Sequence, residues 1–526
     1  MPSDMPFSGQ QKTRAGFVAR MTLKIQRHLW YLPAACLIMA AGLFLDPATA
    51  TATAADPGPA LTIGVGRDFF DGPDSRTFLH GSTHTWEGLT YLDDHLTARP
   101  WLAEEWHSLD DCRTWVFRLR KDAVFHDGTK LTAGHAKTAI LRIARNPRYD
   151  PAGVYRNLET LEASGPLELR FNFSKPFPAF PNAVSYYSSP VLHPKGFDEN
   201  GRIIELIATG PFFPEIIRAG DRIELRAFSG YWGDTPHVDR VVFRTLLDAQ
   251  TRAMALMSGE IDAVADVGAL LPQQADLLKG KQDIVLKQVE VATTHYLIFN
   301  CRIPPFHEAG SRHWLAEQID LPGMIAALVP GAARPARDPY TPLAADWAFH
   351  LLSPGPSRAS APDFVTGPLK ILIHAGTVQR WPYLDMAQFI QAGLEAHGFR
   401  SRIVLREPGA YYQDMRQGDF HVALQPNTLM TGDPDFFFAY YMATDSPRYY
   451  GCGSSETDDL IRRARHEPDL SQRKALYRNL SEIFARELPL LPLYHDISYY
   501  AHTSRIDHFF LDHNFRPCLT RTRIVK

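Results

Sequence analysis

The sequence predicts an α/β fold with mixed sheets, and three observations lead there. Apolar residues alternate with period two in several short segments, and others recur three and four apart as on a helix face. From about residue 288 to residue 491, strand-like and helix-like segments follow one another as they do in an α/β layer. The chain has 526 residues, 45% of them apolar. At roughly 150 residues per domain that length allows about two to four domains with substantial cores. Its 55 Lys and Arg oppose 58 Asp and Glu, a net charge of −3. Such a balance lacks the basic footprint that phosphate neutralisation demands of a nucleic-acid binder.

The N-terminus reads as an export signal. Lys12, Arg14, Arg20, Lys24 and Arg27 precede the apolar run Leu29 to Leu45, and the small-residue stretch PATATATAAD follows. A basic region, an apolar core and Ala-x-Ala sites make a secretory signal peptide over residues 1–55, with cleavage near Ala55. Pro33 and Gly42 interrupt the apolar run, which disfavours a retained membrane anchor. Met21 is an alternative start, because Lys24 and Arg27 alone supply a basic region. After cleavage Cys112, Cys301, Cys452 and Cys518 remain, and sequence does not choose among their pairings.

The mature chain can be followed element by element. TWVFRLR places Trp115, Phe117 and Leu119 on one face, and LELRFNF does the same with Leu167, Leu169, Phe171 and Phe173. Both predict half-buried antiparallel strands. Between them a helix begins at a capping residue, Thr132, and carries Ala136, Ile140 and Ile143 on its apolar side. HVDRVVFRT predicts a strand running into a helix that Gly259 ends, since glycine accepts the left-handed conformation at a helix C-terminus. LKILIHAG, DMAQFIQAGLEAHGF, SRIVLREP and YYQDMRQGDFHVALQ then alternate strand and helix. DLSQRKALYRNLSEIFARELP predicts an amphipathic helix with Leu476, Leu480 and Phe484 in line, Ser471 as its cap and Pro489 as its stop. PLLPLY resumes strand character. The tail from Ile506 to Lys526 has no core of its own and is expected to pack back on the first segment.

Motifs for covalent chemistry are missing. There is no HExxH, GxSxG or GxxxxGK[ST], and GVGRDF from Gly64 lacks the third glycine of a dinucleotide loop. His307 and His313 lie six apart, off a single helical face, which disfavours a zinc site.

Several phrases occur in a telling order. LTARPWLAEEWHSLDDCRTWVFRLRKDAVFHDGTKLTAGHAKTAI comes first, and TGPFFPEIIRAGDRIELRAFSGYWGDTPHVDRVVFRTLLDAQTRAMALMSGEIDAV follows. FNCRIPPF, GDPDFFFAYY, YYGCGSSETDDLIRRAR and RKALYRNLSEIFARELPLLPLY complete the series. Together they resemble family 5 of the extracellular solute-binding proteins of ABC transporters, whose members bind peptides and nickel.

That resemblance implies a two-lobed periplasmic binding protein fold with mixed sheets. Lobe one would comprise residues 56–290 and return at 494–526, and lobe two 291–493. Two crossover strands would join them, near Val289–Asn300 and Leu491–Tyr500. It implies a periplasmic monomer that binds a small solute, an oligopeptide, an opine-like compound or a metal chelate. Partners would be an ABC permease and its ATPase; no cofactor, resident metal or catalysis is implied. A signalling receptor or periplasmic chaperone on the same lobes is the alternative.

The resemblance also points to site residues. Thr428, Leu429, Met430, Asp433 and Asp435 occupy a loop that contributes ligand contacts in the family. Peptide binders place an aspartate shortly before the landmark proline to hold the peptide ammonium, whereas uncharged Thr428, Leu429 and Met430 stand there. Either Asp433 takes that role or the solute is not an ordinary free-amine peptide; Asp433 also suits a plain turn before proline. Arg148 is a candidate lobe-one arginine. Tyr186 and Tyr187 sit where family members approach the ligand, and one of them equally suits the core. Asn300 and Arg302 flank the outgoing crossover, with Arg302 able to grip a carboxylate or to form a structural ion pair. Trp86 is a cleft candidate, while Trp115 and Trp232 are expected to pack.

Overall fold

Two long strands, Ile284–Phe299 and Leu490–Thr503, pair antiparallel and form the middle of an eleven-stranded sheet. The computed structural model describes residues 59–68, 83–146, 149–150, 153–185, 189–352, 367–446 and 448–525. The export signal and the candidates Arg148, Tyr186 and Tyr187 lie outside the described residues. By internal contacts Pro57–Lys526 is one unit.

On one side of the long pair lies the α/β layer expected from the sequence. Strand Val422–Thr428 pairs antiparallel with Ile284–Phe299, then Leu369–His374 and Ser401–Arg406 follow in parallel. Helices Tyr383–Ala396 and Pro408–Gln417 make the crossovers that parallel neighbours require. Leu369–His374 is buried along nearly its whole length, as a strand covered on both faces must be. On the other side Ala263–Val264 pairs with Leu490–Thr503, and Leu61–Val65 lies parallel to both Ala263–Val264 and Arg240–Thr245. The antiparallel strands Arg222–Ala227 and Phe212–Arg218 end the sheet.

A separate antiparallel sheet of four strands holds Ala103–Leu109, Thr114–Leu119, Glu168–Phe173 and Leu158–Ala163. Glu168–Phe173 alternates as its period-two pattern predicts, with Leu169, Phe171 and Phe173 buried. Thr114–Leu119 is buried more completely, and only Arg118 is exposed. It is an inner strand of that sheet, and Val116 is covered as well as Trp115, Phe117 and Leu119. Trp115 and Trp232 pack as expected: Trp115 donates to Phe177 O at 3.1 Å, and Trp232 donates to the buried Glu87 carboxylate at 3.0 Å.

Helix ends follow local chemistry. Thr132 accepts from His135 N and starts Ala133–Ala144, whose Ala136, Ile140 and Ile143 are buried. Gly259 takes a φ of +74° just beyond Ala249–Met257. At Leu470–Glu487 the expected cap is corrected. Asp469, not Ser471, accepts from Gln472 N at 2.8 Å, because the helix begins one residue before Ser471 and the Ser471 hydroxyl turns back to Asp469. The tail packs back on the first segment through Phe509, Leu511, Phe515 and Leu519, which share a core with Leu61, Ile63 and Val241.

Of the possible cysteine pairings the structure contains Cys301–Cys452, while Cys112 and Cys518 are unbonded. No helix among the described residues is long and apolar enough to cross a membrane.

Candidate functional site

Three strands end at one pocket. His374 is the last residue of Leu369–His374, Thr428 the last of Val422–Thr428, and Arg67 lies two residues beyond Leu61–Val65. Carboxyl ends of sheet strands are where α/β proteins take up ligands, since the backbone there leaves the sheet and frees side chains. Helix Pro408–Gln417 adds Tyr411 and Tyr412, the segment after His374 adds Arg380 and Trp381, and the C-terminal tail adds Asn514 and Phe515. About 850 Å³ of non-atom space lies between these residues, the open mouth of the pocket included.

Its polar groups are incompletely satisfied by the protein. His374 Nδ1, Gln425 Oε1 and Asn514 Oδ1 are buried without a hydrogen-bond partner. Buried polar atoms in native proteins are nearly always paired, and these three belong to residues lining one pocket, where an incoming molecule can meet them. Arg67 makes a forked contact with the buried Asp266, its Nε lying 2.9 and 3.1 Å from the two carboxylate oxygens. Arg380 donates from Nε to Gly376 O at 3.2 Å and has no ion pair among the described residues. Burial and then the nearby Arg67 charge lower the Arg380 pKa, yet a guanidinium stays protonated in any protein setting. Burial and then Arg380 also push His374 below its ordinary value, which leaves its ring neutral.

The wall behind these groups is held by the long strand pair. Trp381 donates to Asp496 Oδ2 at 3.1 Å, and the same oxygen lies 3.4 Å from His295 Nε2. His295 stacks on Tyr494 with ring centroids 4.2 Å apart and bonds Tyr383 OH at 2.6 Å. The strand pairing shifts register between Glu290 and Thr294 and again between His295 and Tyr296. Such irregularities re-aim side chains in a sheet.

The two flanking parts of the chain touch on either side of the pocket. Gly268, at φ +58°, lies so close to Arg380 that an added Cβ would come within 2.5 Å of its carbonyl oxygen. Gly432, at φ +65°, meets Leu96 O in the same way at 2.3 Å. Asn182 donates to both Leu96 O and Thr431 O, at 2.8 and 2.9 Å.

Only part of the set expected from the sequence gathers here. Thr428 and Met430 line the pocket, Thr428 also bonding Thr293 across the strands at 2.7 Å. Asp433 and Asp435 face an adjoining groove and are both engaged: Arg473 holds Asp433 through two bonds of 2.8 Å, and Arg465 Nε contacts both Asp435 oxygens at 3.0 Å. Leu429 is buried in the core, its N–H bonded to Ala292 O. Asn300 is buried and donates to Gly418 O and Phe420 O at 2.9 Å each, securing a turn. Arg302 turns to Tyr449, whose carbonyl it meets and whose ring it covers at 5.6 Å. Trp86 is wholly buried, in the same core cluster as Leu61 and Phe212. Arg67, His374, Arg380, Trp381, Tyr411, Gln425 and Asn514 were not among the expected residues. His374 and Gln425 stand at or near the ends of the predicted strand segments LKILIHAG and YYQDMRQGDFHVALQ, a signal that could have found them; Tyr411 lies on a helix and Asn514 in the tail, where no such signal exists.

Residues 97–447 match the bacterial extracellular solute-binding proteins, family 5 Middle. The chain belongs to this family. The glutathione-binding protein GsiB of Escherichia coli strain K12 is 23% identical over 449 residues, covering 81% of this chain and 86% of that one. Among solved structures, NikA from Brucella suis in complex with Fe(III)-EDTA superposes with a TM-score of 0.77 at 20% identity, over 89% of this chain and 100% of that one. DppA from Helicobacter pylori, in complex with the peptide STSA, gives 0.73 at 21%, over 88% and 98%. The mixed α/β fold is therefore that of the periplasmic binding proteins. Among the described residues no group of three or more His, Cys, Asp or Glu is placed to hold a metal ion.

Proposed function

We propose that this family 5 protein is the periplasmic solute-capturing subunit of an ABC importer. Its export signal is residues 1–55; lobe one is 56–290 with the return 494–526, and lobe two is 291–493. The observation that carries this reading is the pocket between Arg67, Val267, Asn514 and Phe515 on one side and His374, Arg380, Tyr412 and Gln425 on the other. A solute there contacts both lobes at once, so it binds the closed arrangement better than an open one, as ligand-driven closure requires. The strands Ile284–Phe299 and Leu490–Thr503 would serve as the hinge. Closure then presents the loaded protein to a permease and its ATPase.

Binding, not turnover, is the proposed role. The proteins it resembles take glutathione, a peptide or a metal chelate, and the same range of peptide-like or metal-chelate solutes is proposed here. A metal would enter with its own chelator.

Thermal melting and titration calorimetry against short peptides, glutathione and nickel–histidine complexes test the reading. A solute at 100 times its Kd stabilises the protein by about 2.7 kcal/mol, and small-angle scattering should show a smaller radius on binding. Failure of every solute to stabilise or compact the protein contradicts it.

A further inference from the structure

We infer that the solute of this pocket is an amide-bearing anion without a free ammonium group. The inference rests on the solute-binding reading above and narrows its chemistry.

Charge comes first. The described residues lining the pocket include Arg67 and Arg380 and no Asp or Glu. Three of the acids nearby are already committed. Asp266 is forked by Arg67, Asp433 by Arg473 and Asp435 by Arg465. Asp433 also accepts from Asp435 N and begins helix Pro434–Tyr441, so releasing it would unpair a buried arginine and uncap a helix. Asp433 is thereby removed from the role of ammonium anchor. An ammonium brought into this pocket would lose its water beside two guanidinium groups with no carboxylate to replace it. A carboxylate faces the opposite situation, because Arg380 offers a planar donor fork and has no anion of its own among the described residues.

The unpaired atoms then describe the rest of the solute. Gln425 and Asn514 present neutral side-chain amides whose oxygens are buried and unpaired. A neutral amide N–H answers such groups without bringing charge. His374, with burial and Arg380 both holding its ring neutral, leaves Nδ1 for one further contact. Tyr411 and Tyr412 flank that ring at centroid distances of 5.1 and 5.6 Å and close the apolar side. N-acylated amino acids or peptides and lactam-type conjugates carry this combination.

The test uses the full chain expressed with its own N-terminus and three probes made from one equimolar dipeptide mixture. The mixture is used as it stands, after N-acetylation, and after N-acetylation plus C-amidation, and retained species are identified by mass spectrometry after gel filtration. The acetylated acids should be retained at least tenfold better than either other form. Arg380→Gln should erase the advantage of acid over amide. Met430→Asp, or Thr428→Asp should the first variant not fold, should raise retention of free-amine dipeptides at least tenfold.

Equal or better retention of the free-amine mixture overturns the inference, as does equal retention of the amidated form. Binding of glutathione with none of the three mixtures retained also overturns it and leaves the solute-binding reading standing. A folded chain that retains nothing and answers to no solute of the wider panel overturns both.

Discussion

Arg473 grips Asp433 through two parallel hydrogen bonds, Nη1 to Oδ2 and Nη2 to Oδ1, each 2.8 Å long and both buried. The pair joins the start of helix Pro434–Tyr441 to helix Leu470–Glu487, and Arg473 Nε adds a bond to Ala464 O at the end of a third. Removing one partner leaves a buried charge unanswered, which costs about 3–5 kcal/mol. Asp433→Ala and Arg473→Ala should each lower unfolding stability by that order in urea titrations. The double variant should lose clearly less than the two losses added together. Additive losses would show that the fork is not an energetic unit.

The disulfide gives a second expectation. Cys301 follows strand Ile284–Phe299, and Cys452 lies 151 residues later, just ahead of helix Ser455–His466. Closing so long a loop restricts the unfolded chain, and native bridges of this kind contribute about 2–5 kcal/mol. Cys301→Ser with Cys452→Ser should therefore melt several degrees lower, while Cys112→Ser should change the melting point little. Equal melting of the bridged and unbridged chains would contradict this.

Buried imidazoles make stability depend on pH. Burial, with Arg334 and His295 adding to it, holds His495 at about 3, and burial holds His126 at about 4. Unfolded, both return to a value near 6.5. Above that value neither state is protonated and the two residues contribute nothing to the slope. As pH falls from about 6.5 toward 4 the unfolded chain binds protons that the native chain refuses, so stability declines. A tenfold difference in proton affinity between the native and unfolded chains corresponds to about 1.4 kcal/mol. The effect is smaller at His126, which is only half-buried. Urea titrations at pH 7.5, 5.5 and 4.5 should show the decline, and His495→Gln should flatten it. An unchanged slope in that variant would assign the acid sensitivity elsewhere.

Much of the fold was legible because its signals are local. The alternation of Leu169, Phe171 and Phe173, the cap at Thr132 and the stop at Pro489 each depend on a few neighbouring residues, so the strands and helices follow from the sequence. The site was less legible because its members meet only in space. Asp433 read more readily as a turn residue than as a ligand contact, and the structure pairs it with Arg473, 40 residues on. Asn300 and Arg302 lie beside the long strand, but their side chains turn to Gly418 and Tyr449, away from the pocket. Arg67 and Asn514 stand at opposite ends of the described chain and share one pocket. No spacing rule joins them. The return of the tail onto the first segment does.

The close approach of Gly268 to Arg380 separates closure from folding. At φ +58° a side chain at position 268 is strained in any state of the protein, by about 1–2 kcal/mol. In the arrangement seen here its Cβ would also stand 2.5 Å from Arg380 O and 2.8 Å from Arg380 Cβ, distances that force the two parts of the chain apart. The first penalty lowers stability, whereas on the two-lobed reading proposed above the second would act only when the pocket is shut. Gly268→Ala should therefore melt slightly lower without solute and bind solute about tenfold or more weakly, because part of the binding free energy must now overcome the contact. Gly259→Ala is the control. It has φ +74° with nothing within 4 Å of an added Cβ, so it carries the backbone strain without the clash. Calorimetric Kd values for the two variants should differ while their melting points stay close. Equal affinity in both would show that the Gly268–Arg380 contact does not belong to the solute-bound state.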